Sequence, residues 1–156
     1  MYPALKLPPF DIPLRRLPDG TVQVHDPLRD KWLVLTPEEW VRQHFVDYLL
    51  ATLGFPKAFL ANEVSLRLNG TSRRCDTVAF TRDLRPLLIV EYKRTDVAVS
   101  RKVFDQIARY NSVLGARYLI VSNGLHHYCC RFDGPSYTFL SAIPCYEDML
   151  KTVNDV

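Results

Sequence analysis

The chain has 156 residues, enough for one domain with a real core. Hydrophobic residues make up 47%, which excludes a disordered chain. Its 20 Lys+Arg against 17 Asp+Glu leave it mildly basic, a balance that tolerates a nucleic-acid partner without demanding one. Pro3, Pro8, Pro9, Pro13 and Pro18 crowd the first stretch. Proline fixes φ and removes a backbone donor, so residues 1–20 are predicted to form an extended arm laid across the main body. Thr21–Val24 and Lys31–Leu35 are short β-prone runs around Asp26-Pro27-Leu28-Arg29, the pattern of a small hairpin. Residues 1–35 are thus read as an arm and hairpin packed on a main domain at 36–156, one globular unit in all.

Thr36-Pro37-Glu38-Glu39 predicts a helix start. Thr36 can cap, Pro37 suits the first position, and Glu39 completes a capping box. The helix runs to about Leu53, with Gly54 as its stop. It is apolar over much of its circumference (Trp40, Val41, Phe45, Val46, Tyr48, Leu49), so it should lie between layers. A meander follows: Glu63–Leu68, an Asn69-Gly70 hairpin turn, Arg74–Phe80, then Leu87–Lys93. Unbroken Leu87-Leu88-Ile89-Val90 predicts a central strand covered on both faces. Ser100 caps a second helix to about Leu114, with Gly115 after it. Tyr118–Ser122 is a further buried strand, parallel to the third through a right-handed crossover. His127–Phe132 and Tyr137–Leu140 form an extra hairpin, and a short helix starts near Glu147.

Cys75, Cys129, Cys130 and Cys145 show no Cys-x-x-Cys or His spacing that would complete a zinc site. Adjacent Cys129 and Cys130 on a strand point to opposite faces. Buried, reduced thiols in a cytoplasmic protein are expected. No signal peptide is expected from Met-Tyr-Pro-Ala-Leu-Lys, and no apolar run reaches membrane-spanning length.

The central strand ends unusually. Glu91 and Lys93, two apart, share one face, and Tyr92 points away. Asp76 lies on the preceding strand. A carboxylate beside an amine at a strand end suits a divalent metal next to an anionic substrate. With Arg73-Arg74-Cys75-Asp76, Val90-Glu91-Tyr92-Lys93 and Gln106-Ile107-Ala108-Arg109-Tyr110 in this helix–strand order, residues 36–132 resemble the PD-(D/E)XK nuclease superfamily. Within it they resemble the N-terminal nuclease domain of type I restriction enzyme R subunits. The resemblance implies an α/β fold with a mixed sheet and a restriction-endonuclease-like αβββαβ core.

The same resemblance implies a Mg²⁺- or Mn²⁺-dependent DNA phosphodiesterase. Asp76 and Glu91 would hold the metal through oxygen. Lys93 would be the catalytic amine, and Gln106 and Tyr110 would support the site from one face of the second helix. Motor or recognition subunits of a restriction system are implied partners, and the resemblance allows a second copy of the chain. A non-cleaving DNA-binding module, or a nuclease active only within a larger complex, is the alternative.

Three features depart from the family pattern. Cys75 stands where the family name has proline. The acid often found on the first helix is open, with Glu39 ahead of Glu38, and Gln43 occupies the position four residues on. No Gly-x-x-x-x-Gly-Lys-Ser/Thr motor motif is present. Read singly, Asp76 could pair with Arg73 or Arg74, and Glu91 with Lys93 could be a surface ion pair. Tyr110 could be core, and Gln106 a solvated helix residue. Glu63 is expected on a solvated face, and His126 and His127 as the flank of a tight turn.

Overall fold

In the computed structural model, which describes residues 2–154, the arm is more regular than its prolines predict. Residue 1 of that arm and residues 155–156 of the tail lie outside the described residues. Leu14–Arg16 (β1) pairs with Val22–Asp26 (β2), which pairs with Lys31–Val34 (β3), both antiparallel. Pro13 and Pro18 bracket β1 rather than interrupt it, so its amides stay free to bond. The arm is strapped to the body. Tyr2 Oη donates to the Leu35 carbonyl at 3.1 Å, Trp40 Nε1 to the Pro3 carbonyl at 2.9 Å, and Lys6 N to the Gly124 carbonyl at 2.9 Å.

The hairpin is anchored from beneath by Asp26, which is wholly buried. Its Oδ1 accepts from the amides of Leu28 (2.7 Å) and Arg29 (3.0 Å), and its Oδ2 from Asn62 Nδ2 (2.9 Å). The sequence marks Asp26 as a turn residue only; its long-range role comes from Asn62, 36 residues on.

Pro37–Ala51 forms α1. Half of the expected capping box exists. Thr36 Oγ1 accepts from Glu39 N at 3.1 Å, but the Glu39 carboxylate turns to arginines instead of to the Thr36 amide. Thr36→Ala is expected to cost about 1 kcal/mol. For a chain of this size that lowers the melting temperature by about 2–4 °C in a thermal melt. The helix stops at Gly54 (φ 70°), where Phe55 N donates to the Leu49 carbonyl at 3.0 Å.

Leu60–Leu68 (β4), Thr71–Phe80 (β5) and Pro86–Tyr92 (β6) form the antiparallel meander. Asn69 (φ 51°) and Gly70 (φ 80°) make the tight turn that Asn-Gly favours. Arg101–Asn111 is α2, capped by Ser100 Oγ accepting from Val103 N at 3.2 Å. A 3-10 turn over Ser112–Leu114 extends it to Gly115. Tyr118–Ser122 (β7) lies parallel to β6, followed by His127–Asp133 (β8), Ser136–Leu140 (β9) and the helix Tyr146–Asn154 (α3). The sheet order is β4-β5-β6-β7-β8-β9.

Alternation along the strands splits the core in two. Leu88, Val90, Tyr92, Ile120 and Cys129 face α1 and α3; Val78, Ile89, Leu119, Val121 and Cys130 face α2. All four residues of the Leu87–Val90 run are fully buried, as a strand covered on both faces requires. The outer side of α1 is covered by the arm, where Tyr2 stacks on Trp40 at 5.5 Å. That explains why α1 is apolar nearly all round. Burial pushes the thiols of Cys75, Cys129 and Cys130 up to about 12, so they are inert at neutral pH. No helix among the described residues is long and apolar enough to cross a membrane.

Candidate active site

The site begins with a defect in the sheet. The β4–β5 ladder pairs Asn62 with Thr77 and Val64 with Cys75, but Glu63 adopts φ 55° and leaves it. Asp76, the residue opposite, is thereby released from ordinary pairing on that side. Its carbonyl accepts from Arg42 Nη1 at 2.8 Å. On its other side the Asp76 carboxylate reaches β6, where Oδ2 accepts from Tyr92 N at 2.9 Å. A side chain has taken an amide that a strand carbonyl would otherwise bond. The β5–β6 register, with Thr77 against Val90, puts Asp76 and Glu91 on the same sheet face.

The two carboxyl groups meet there. Burial pushes the Glu91 carboxyl up to about 8, and the neighbouring Asp76 carboxylate adds to the shift. Arg73 and then Lys93 draw it back down. Glu91 Oε1 is buried and has no hydrogen-bond partner. A metal-free protein therefore keeps Glu91 protonated at neutral pH. Two hard oxygen donors side by side, one of them orphaned, fit a divalent cation of the Mg²⁺ class.

Tyr92 points to the other face, as the alternation predicts. Its Oη donates to Thr77 Oγ1 at 2.9 Å, and Thr77 donates in turn to Asn62 Oδ1 at 2.6 Å. This buried chain pins β4, β5 and β6 beneath the carboxylates. Lys93 lies one residue beyond β6; its amide donates to the Ser122 carbonyl at 2.8 Å. No ion pair joins Lys93 to Glu91 among the described residues, so the surface-pair reading does not hold. Asp76 does not pair with Arg73 or Arg74 either; Arg74 Nε binds Glu63 at 2.7 Å.

Two acidic expectations need correction. Glu39 stands apart from the carboxylate pair. Its Oε1 accepts from Arg29 Nη2 at 3.0 Å and faces Arg42 Nε at 3.3 Å, and its Oε2 accepts from Gln43 Nε2 at 3.2 Å. Cations on both sides already neutralise it, and among the described residues no cluster of three or more His, Cys, Asp or Glu side chains comes together. Glu63 is not solvated. Its left-handed backbone lies at an irregularity in the ladder, and its carboxylate clasps Arg42 Nη2 (2.6 Å) and Arg74 Nε (2.7 Å).

On α2, Tyr110 is 60% exposed, so it is not core; the Arg73 guanidinium lies 4.7 Å over its ring. Gln106 is exposed, near Lys102 and Arg109. His127 is half-buried and bonds Ser122 Oγ (2.7 Å) and the Lys6 carbonyl (2.8 Å), a structural role at the turn. A groove of about 400 Å³ at Arg101, Phe104, Tyr128 and Phe139 lies away from the carboxylates.

A family model for the type I restriction enzyme R protein N terminus matches residues 37–144. The chain belongs to that family. Among solved structures, a fragment of a putative HsdR subunit of a type I restriction enzyme from Vibrio vulnificus YJ016 is similar, with a TM-score of 0.56 at 20% identity. The match covers 78% of this chain and 26% of that one, so this chain spans about a quarter of that structure's length. The likeness is one of fold, an α/β arrangement with a mixed sheet. No curated protein matches the chain.

Within this R-protein N-terminal domain, sequence reasoning missed Arg42, Glu63 and Arg73. Arg42 carried a signal: a charged residue between Val41 and Phe45 on an apolar helix must find partners if that helix is covered all round. Glu63 carried none, because nothing in its residue type marks a left-handed backbone within a strand.

Proposed function

We propose that this R-protein N-terminal domain is a Mg²⁺- or Mn²⁺-dependent DNA phosphodiesterase of the PD-(D/E)XK kind, working in a restriction system. The observation that carries the reading is the half-buried Asp76–Glu91 pair, with the buried Glu91 Oε1 unpartnered. Asp76 and Glu91 would hold the ion, leaving the rest of its shell to water and phosphate oxygen. When bound, the ion polarises the phosphate and acidifies a water. Lys93, on the face of Glu91, offers ammonium donors to that water or to the charge that builds on phosphorus. The Tyr92 amide holds the Asp76 carboxylate in place, and Arg42 holds the backbone of Asp76. Family membership supports the restriction context, with motor or recognition subunits as partners.

Calorimetry with Mn²⁺ and plasmid nicking test the reading together. The wild type is expected to bind Mn²⁺ and to nick DNA. Asp76→Asn should lose both, whereas Lys93→Ala should keep Mn²⁺ binding and lower nicking by about 10²–10³-fold. Mn²⁺ binding that is unchanged in Asp76→Asn rejects the site. Nicking that appears only when a motor subunit is added assigns the activity to the assembled complex.

A further inference from the structure

Most arginines around the carboxylate pair are already engaged. Arg42 serves Glu63 and the Asp76 carbonyl, Arg74 serves Glu63, and Arg29 serves Asp26 and Glu39. Arg73 differs. It makes no ion pair among the described residues, and its Nε, like that of Arg42, is buried without a hydrogen-bond partner, so nothing else among those residues pairs with its charge. A buried N–H left this way lacks an acceptor that an anionic ligand would supply.

Its orientation is nonetheless held. The Cζ lies 4.7 Å from the Tyr110 ring centroid, and that ring is 60% exposed. A ring so exposed contributes little to the core; its stacking orients the arginine instead. Distal β4–β5 residues Leu66 and Cys75 pack in one cluster with Ile107 and Leu114, so the hairpin and α2 keep arginine and tyrosine together. Glu91 Oε1 is a second buried orphan, on an acidic side chain. Arg73 lies within electrostatic reach of Glu91, yet no ion pair closes between them among the described residues. A group able to accept from the guanidinium while bordering a metal-held carboxylate is a phosphate oxygen.

We propose that Arg73 binds a non-bridging oxygen of the substrate phosphodiester, and that Tyr110 is the positioning residue that holds its guanidinium for that contact. The inference rests on the nuclease reading and adds a cation that reading does not use. It also gives Tyr110 a task through Arg73 rather than through Lys93.

The test is cleavage kinetics in Mn²⁺ alongside Mn²⁺ calorimetry and thermal melts. Arg73→Gln and Arg73→Lys are expected to lower kcat/KM for DNA by about 10²-fold, since lysine lacks the planar fork, with Mn²⁺ affinity retained. Tyr110→Ala should lose about tenfold at an unchanged melting temperature, and Tyr110→Phe should match the wild type because the ring and not the hydroxyl acts. Wild-type rates in both Arg73 variants overturn the proposal. So does loss of Mn²⁺ binding in Arg73→Gln, which would make Arg73 a holder of Glu91, and so does a Tyr110→Phe variant as impaired as Tyr110→Ala. If the wild type binds Mn²⁺ and DNA without cutting, DNA affinity becomes the readout. Arg73→Gln should then flatten its salt dependence by about one phosphate contact, and no change overturns the proposal. A wild type that binds neither Mn²⁺ nor DNA sinks the nuclease reading itself, and this inference with it.

Discussion

Glu91→Gln is expected to abolish metal binding and cutting while making the metal-free protein more stable. The two effects share one cause. Glu91 in the folded chain holds its proton up to about 8, against 4.5 for the free side chain. A carboxyl raised in this way contributes its full stability below the unfolded value and loses it as pH rises through the folded one. At pH 8.5 in a chelator, folding therefore carries the cost of a buried carboxylate beside a second carboxylate. Glutamine keeps the shape and never ionises.

The variant should gain on the order of 1–2 kcal/mol under those conditions, or about 2–8 °C in melting temperature. The gain should shrink toward pH 5, where wild-type Glu91 is protonated. Mn²⁺ should reverse the order: it stabilises the wild type more at pH 8 than at pH 6, because proton and metal compete for the same oxygen, and it leaves the variant unmoved. Thermal melts across pH, with chelator and with Mn²⁺, read all of this. Wild type and Glu91→Gln melting alike at every pH would show that the pair is solvated and carries no stored repulsion.

Arg42→Met is expected to be the most destabilising single change among those considered. Arg42 is 4% exposed. Its guanidinium binds Glu63 at 2.6 Å, Glu39 at 3.3 Å and the Asp76 carbonyl at 2.8 Å, and lies 5.7 Å over the Tyr92 ring. Methionine fills much of the volume but leaves the Asp76 carbonyl without its donor and takes from Glu63 and Glu39 one of the two arginines that each of them faces. Breaking a buried ion pair from one side costs about 3–5 kcal/mol, which corresponds here to roughly 10 °C or more.

Adding Glu63→Gln and Glu39→Gln should restore part of the loss, since carboxylates that keep only one of their two arginines are what destabilises. The same change removes the hold on the Asp76 backbone, so Mn²⁺ affinity should fall even at temperatures where the variant is folded. Denaturant titration and calorimetry measure both. A variant within about 2 °C of the wild type would place the stability of this part of the sheet in its packing and not in its ions.

Much of the fold was legible from residue order. Ser100 and Gly115 bounded the second helix, and Asn69-Gly70 the hairpin, because caps and tight turns depend on backbone geometry that only certain residue types tolerate. The Leu87–Val90 run marked the central strand, and the two-residue period put Glu91 on one face and Tyr92 on the other. The candidate pair, Asp76 and Glu91, was likewise readable, since residues on adjacent strands with matched register must be neighbours.

What the chain order could not express is how neighbours across space settle each charge. Glu39 carries the spacing of a helix cap, yet it turns to Arg29 and Arg42, because a carboxylate at a covered helix face is drawn to the nearest cation. Glu63 sits in a polar–apolar alternation that predicts solvent, yet its left-handed backbone leaves it half-buried between two arginines. Local pattern determined the elements, their order and the face each side chain takes, since those follow from steric preferences of a few consecutive residues. Only the tertiary structure decided which carboxylates are neutralised by arginine and which one is left protonated and waiting, because electrostatic energy depends on distance and burial and not on separation along the chain.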